Sequence, residues 1–210
     1  MIRILIADDH PIFRQGLKQT ILDQPNMIVS CEAQNSQEVL EFVRKYDFDI
    51  VVMDMTMPGR GGIDLVKELK REHPGLPVLV LSMHPENQYA VRALKAGAAG
   101  YMCKESAAYE LADAIRKIIK GARYITPAVA ELLTLYVETE TEKPLHETLS
   151  DREYQVMLMI ASGKQVGKIA DELSLSVKTV DTYRARVLNK MGMKSNAELI
   201  HYAIKNNLII

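Results

Sequence analysis

The sequence predicts an α/β domain, a doubly wound five-stranded parallel sheet, followed by a small all-α domain. Three observations carry that expectation. From Ile2 to Lys120 short apolar runs alternate with longer amphipathic ones, the pattern of repeated strand and helix units. From Leu149 onward only helical periodicity is found, and between the two lies "VETETEKPLHE", Val137 to Glu147, with no periodicity at all.

The strand candidates are "RILIA" (Arg3 to Ala7), "MIVSCEA" (Met27 to Ala33), "DIVVM" (Asp49 to Met53), "PVLVLS" (Pro77 to Ser82) and "GYMC" (Gly100 to Cys103). Near-continuous Val, Ile and Leu in the third and fourth fit central strands buried on both faces. Helical patterns follow near Ile12 to Leu22, Gln37 to Tyr46, Gly62 to His73, Gln88 to Ala96 and Ala107 to Lys120. A closed eight-fold barrel needs more repeats than these. Thr126 can cap a further helix with Pro127 in its first turn. In the last third, "SDRE" (Ser150 to Glu153) and "SNAE" (Ser195 to Glu198) are capping boxes. Between them come a short helix, a turn through Ser174 to Ser176, and a longer helix from Val177 to about Met191, the outline of a helix-turn-helix module. The predicted division is therefore 1–121, a linker with one helix at 122–148, and 149–210.

Two modest domains suit 210 residues, and each can bury a core. A net charge of -1 gives no global signal, so any nucleic-acid surface has to be local. The two cysteines, Cys31 and Cys103, lie in apolar stretches and suit buried thiols in a reducing compartment rather than a disulfide framework. The N-terminus turns acidic after a short apolar run and no segment reaches membrane-spanning length. These features predict a cytoplasmic protein with no membrane partner.

In an open parallel sheet, ligands sit beyond the carboxyl ends of the strands. There the sequence places Asp8 and Asp9 after the first strand, Asp54 at the third, Ser82 at the fourth and Lys104 at the fifth. Each has an ordinary reading as a cap, turn or surface residue. Together they put three carboxylates, a hydroxyl and an ammonium on one edge. Three carboxylates at close range need a counter-charge, and oxygen ligands near solvent suit a hard cation such as Mg2+. With that charge beside it, Asp54 can attack a phosphoryl donor and become an acyl phosphate, for which Ser82 and Lys104 are natural partners. Tyr101 stands where a rotamer change would follow movement of the Ser82 loop.

Residues 1 to about 121 resemble the receiver domain of two-component response regulators, a flavodoxin-like fold. The resemblance is carried by "ADDH", "VVMDMTMPGRGG", "VLVLSMH" and "KAGAAGYMCKES". It implies that Asp54 takes a phosphoryl group from a sensor histidine kinase and that Asp8, Asp9, Asp54 and the backbone carbonyl of Thr56 hold Mg2+. It also implies that Ser82, Tyr101 and Lys104 are the switch hydroxyl, the switch aromatic and the phosphate-binding Lys. Such a protein is no enzyme beyond its own phosphorylation and dephosphorylation at Asp54. Two departures stand out: Glu105 occupies a place where many receivers have Pro, and Ser82 one where many have Thr.

On a helical wheel, Val180, Tyr183, Val187 and Met191 share a core face, opposite Lys178, Asp181, Thr182, Ala185, Arg186 and Asn189. Small and hydrogen-bonding side chains let a helix approach base edges, while Lys178, Arg186 and Lys190 can reach phosphates. From Lys164 to Lys205 there are eight bases and four acids, a basic excess on a nearly neutral chain. Arg184, nearer the core side, reads as a snorkelling or backbone-contacting residue. The stretch from "LSDREYQ" to "SNAEL" resembles the LuxR-type DNA-binding domain, and the two halves together resemble the NarL/FixJ family. That implies contacts to promoter DNA through Lys178, Thr179, Asp181, Thr182, Tyr183, Arg186 and Lys190. It further implies a homodimer paired through the last helix, and RNA polymerase as a further partner. Many members carry Lys where Asp181 stands, so base specificity is not inherited. Two other readings fit parts of the pattern. An Asp-nucleophile hydrolase usually carries a second Asp two residues on, where this chain has Thr56. A protein-interaction module would not need the local basic charge.

Overall fold

The computed structural model describes residues 1–138 and 144–209. Two compact units, 1–132 and 133–210, make up the chain, and each is described by itself.

In the first unit strands β1 (Ile2–Ala7), β2 (Met27–Ala33), β3 (Ile50–Asp54), β4 (Val78–Ser82) and β5 (Gly100–Cys103) alternate with helices α1 (Pro11–Leu22), α2 (Ser36–Lys45), α3 (Gly62–Glu72), α4 (Glu86–Lys95) and α5 (Lys104–Ile119). The sheet is parallel in the order β2-β1-β3-β4-β5. β3 and β4 are buried along their whole length, as expected for central strands, whereas β2 shows a mixed pattern because it is an edge. Below the sheet β1, β3 and β4 pack on α1 and α5 through Ile4, Ile6, Leu79, Leu81, Leu111 and Ile115. Helix starts follow local chemistry: Asn35 caps α2 by accepting from the Glu38 amide at 2.9 Å, and Pro11 opens α1 with its fixed φ.

Differences from expectation lie mainly at ends. α5 begins at Lys104, three residues earlier than the periodicity indicates, with Glu105 in the first turn where an acid suits the helix dipole. The chain after α5 also stays with the sheet: Tyr124 bridges Gly100, and its amide donates to the Ala99 carbonyl at 2.9 Å. α6 (Pro127–Glu138) is capped by Thr126, whose hydroxyl accepts from the Val129 amide at 3.3 Å. Cys31 and Cys103 are both half-buried rather than sealed in the core.

Part of the expected linker, residues 139–143, lies outside the described residues. Its end, Leu145–Thr148, forms a 3-10 turn inside the helical unit, where the His146 ring nitrogen lies 2.9 Å from the Tyr202 hydroxyl. Four helices follow: α7 (Asp151–Ala161), α8 (Val166–Glu172), α9 (Val177–Met191) and α10 (Asn196–Lys205). The capping box at α7 is complete, and Ser176 caps α9 through the Thr179 amide at 3.0 Å. At the far end of α9 Gly192 takes φ 65, a left-handed stop that favours glycine. Val156, Met157, Ile169, Val180, Val187 and Leu199 form the buried centre.

Candidate functional site

The winding reverses between β1 and β3, so their carboxyl ends open a crevice at the topological switch point. Asp8 follows β1 and Asp54 ends β3, and both are fully buried. Lys104, from the first turn of α5, reaches between them, its ammonium 2.7 Å from Asp8 Oδ2 and 2.9 Å from Asp54 Oδ2. Burying one ammonium against two carboxylates leaves a net negative pocket. Asp9 stands at its half-open rim.

The loop after Asp54 is held firmly. Thr56 turns back so that its hydroxyl lies 3.1 Å from Asp54 Oδ2 and its amide donates to Oδ1 at 3.3 Å. Ser36, buried at the start of α2, accepts from the Arg60 amide at 2.7 Å, and its own amide donates to the Pro58 carbonyl at 3.1 Å. Gly62 is required where α3 starts, because a Cβ there would come within 2.4 Å of the Met55 carbonyl oxygen.

Ser82 ends β4 with its hydroxyl accepting from the His84 amide at 3.0 Å. Tyr101, on β5, does not wait outside. It is buried, with its hydroxyl donating to the His84 carbonyl at 3.0 Å, so the ring already faces inward. Burial pushes its pKa well above that of a free phenol, which keeps the hydroxyl a donor.

Three neighbours of the pocket were missed by sequence reasoning. His10 Nδ1 lies 3.0 Å from Asp9 Oδ1 and 3.4 Å from Asp8 Oδ1. The Arg14 guanidinium donates to the Asp8 carbonyl at 2.6 Å, and the Phe13 ring lies 4.6 Å from the Lys104 ammonium. His10 directly follows the acidic pair, the one signal available. The roles of Phe13 and Arg14 depend on how α1 leaves β1.

Metal-binding capacity is visible in the donor set. One ligand atom each from Asp8, Asp9, His10 and Asp54 lie within 4.8 Å of one another. Asp8 Oδ2 and Asp9 Oδ1 are buried yet accept no well-aligned hydrogen bond, although the Lys104 ammonium and the His10 ring stand close. Carboxylate oxygens with spare lone pairs at that spacing fit a hard divalent ion such as Mg2+.

In the helical unit α9 presents Lys178, Asp181, Thr182, Ala185, Arg186 and Asn189 to solvent and buries Val180, Val187 and Met191, as the wheel expects. The remaining candidates are more engaged. Tyr183 is half-buried, and the Thr179 hydroxyl lies 2.7 Å from that of Ser176 within the cap. Lys190 donates to Glu153 Oε2 at 2.6 Å and so ties α9 to the start of α7. Burial alone would raise the Glu153 pKa. Hydrogen bonds from Lys190 and Ser150 outweigh it and hold the carboxyl below its usual range.

Comparison with known proteins agrees with both halves. Residues 4–116 match the response regulator receiver domain, and residues 147–203 match the bacterial regulatory proteins of the luxR family. The chain belongs to the NarL/FixJ family of two-component response regulators. It is 36% identical to the response regulator UvrY of Escherichia coli (strain K12) over 99% of its own length and 96% of the relative's. To the response regulator GacA of Pseudomonas aeruginosa it is 36% identical over 100% and 98%. RcsB from Salmonella enterica serovar Typhimurium, solved bound to promoter P1flhDC in the presence of the phosphomimetic BeF3-, is 27% identical, with a TM-score of 0.62 over 96% of this chain and 97% of that one. A structure of two RcsB dimers bound to two parallel DNAs matches with 26% identity and a TM-score of 0.61, covering 100% and 99%. This response regulator therefore couples a receiver to a LuxR-type DNA-binding domain in phosphorylation-dependent regulation of transcription. Among its described residues no helix is long and apolar enough to cross a membrane.

Proposed function

We propose that Asp54 is the phosphoacceptor and that its modification controls promoter binding by a homodimer through α9. The pairing of buried Asp8 and Asp54 with Lys104 at the switch point carries this reading. An Asp54 oxygen attacks phosphorus of a phospho-histidine on the sensor kinase. The P–N bond breaks, its electron pair stays on the imidazole nitrogen, and an acyl phosphate is left on the chain. Asp8, Asp9, Asp54 and the Thr56 carbonyl would hold Mg2+, which would supply the charge neutralisation that this transfer depends on. Thr56, whose hydroxyl now covers Asp54, gives way to the incoming group. Lys104 then shifts its ammonium toward a phosphoryl oxygen. The Ser82 hydroxyl, which accepts from the His84 amide, turns to donate to another, which moves the His84 segment on which Tyr101 is anchored.

The chain's own catalysis is confined to phosphorylation and dephosphorylation at Asp54, in a cytoplasmic protein. At the output end, Lys178 and Arg186 contact phosphates while Asp181, Thr182 and Ala185 face base edges. Thr179 and Lys190 stay mainly with their partners Ser176 and Glu153 and contribute through helix placement. RNA polymerase is a further partner at the promoter. The test is fluorescence anisotropy of the full chain with promoter DNA, with and without acetyl phosphate and Mg2+. Tighter binding after treatment, steeply salt-dependent and absent from Asp54→Asn, is expected. Binding insensitive to treatment and to salt would contradict it.

A further inference from the structure

α9 carries one acid among four bases: Asp181 against Lys178, Arg184, Arg186 and Lys190. An acid central on a surface that must approach phosphates is electrostatically costly. Asp181 is nonetheless exposed, its side chain 52% accessible, with a cation close beside it. The Arg184 guanidinium stands 3.8 Å from Asp181 Oδ1. Arg184 is itself tied to the start of α10, where its Nε donates to Asn196 Oδ1 at 2.8 Å. The next residue has the same polarity. The Thr182 hydroxyl donates to the Lys178 carbonyl at 2.8 Å, so what remains for an outside partner is its acceptor lone pairs.

Two neighbouring acceptors, flanked by the exposed cations Lys178 and Arg186, define a complementary ligand: a duplex edge offering an exocyclic amine between two phosphates. In the major groove a carboxylate is matched by the cytosine N4 amine and repelled by the O6 and N7 acceptors of guanine. We infer that Asp181 is a specificity-determining residue that accepts from cytosine N4, with Arg184 as the positioning residue that aims it. The inference rests on the reading of α9 as the DNA-contacting helix.

The experiment is selection from a randomised duplex pool by the full-length protein treated with acetyl phosphate and Mg2+, followed by affinity measurements on matched duplexes. Wild type is expected to favour cytosine over thymine about tenfold at one position of each half-site. Asp181→Asn should move that preference to adenine, since an amide pairs with N6 and N7, while leaving the salt slope unchanged. Arg184→Gln should weaken the cytosine preference without changing the salt slope. An Asp181→Asn protein that selects the same sequence as wild type, with affinity changed uniformly, would overturn the inference and assign Asp181 to helix placement. Absence of any salt-dependent binding by wild type would instead overturn the reading beneath it.

Discussion

At the scale of single residues, Lys104 holds the pocket together. Its ammonium is almost entirely buried and pairs with two carboxylates that have no solvent of their own. Removing one partner of a buried ion pair costs about 3–5 kcal/mol, because the charge left behind is uncompensated. Lys104→Met should therefore lower stability by about 3 kcal/mol in chelator. Added Mg2+ should recover part of the loss by neutralising the same oxygens. Thermal unfolding with and without Mg2+ checks both, and a variant as stable as wild type in chelator would contradict the assignment. The acidic cluster was legible in the sequence because strand ends are predictable and all five residues sit at them. The inward state of Tyr101 was not, since a buried Tyr needs a hydrogen-bond partner and that partner, the His84 carbonyl, lies on another loop.

At the scale of elements, the helical unit depends on the link between α7 and α9. Glu153 completes the α7 capping box through the Ser150 amide at 2.8 Å and receives Lys190 at 2.6 Å, so one carboxylate serves two helices. The Lys190 side chain is 42% exposed, so solvent screening moderates its loss: Lys190→Ala should cost about 2 kcal/mol. The folded-state pKa of Glu153 is depressed, so its contribution is present above the ordinary carboxyl value of 4.5 and is lost as pH falls through the lower folded value. The stability gap between wild type and Lys190→Ala should accordingly narrow below about pH 4.5, read by denaturant unfolding across pH; a gap constant with pH would contradict the ion-pair account. Sequence reasoning found the capping box as a local motif. It offered Lys190 to DNA instead, because the partner lies 37 residues away and only tertiary packing brings it close. The same limit explains Leu145–Thr148: without periodicity they read as linker, yet the contact of His146 with Tyr202, 56 residues on, belongs to the helical unit.

At the scale of the whole molecule, the alternation of apolar and amphipathic segments was enough to indicate a parallel sheet and a separate helical unit. Strand order was not, because periodicity carries no neighbour information; it is the order β2-β1-β3-β4-β5 that sets Asp8 beside Asp54. The central claim is that this junction makes one residue, Asp54, the chemical input to a DNA-binding output. Intact mass after incubation with acetyl phosphate and Mg2+, comparing wild type with Asp54→Asn, tests it most directly. One added phosphoryl group is expected on wild type, removed by mild base as an acyl phosphate is, and none on Asp54→Asn. Modification of both proteins, or of neither, would contradict it.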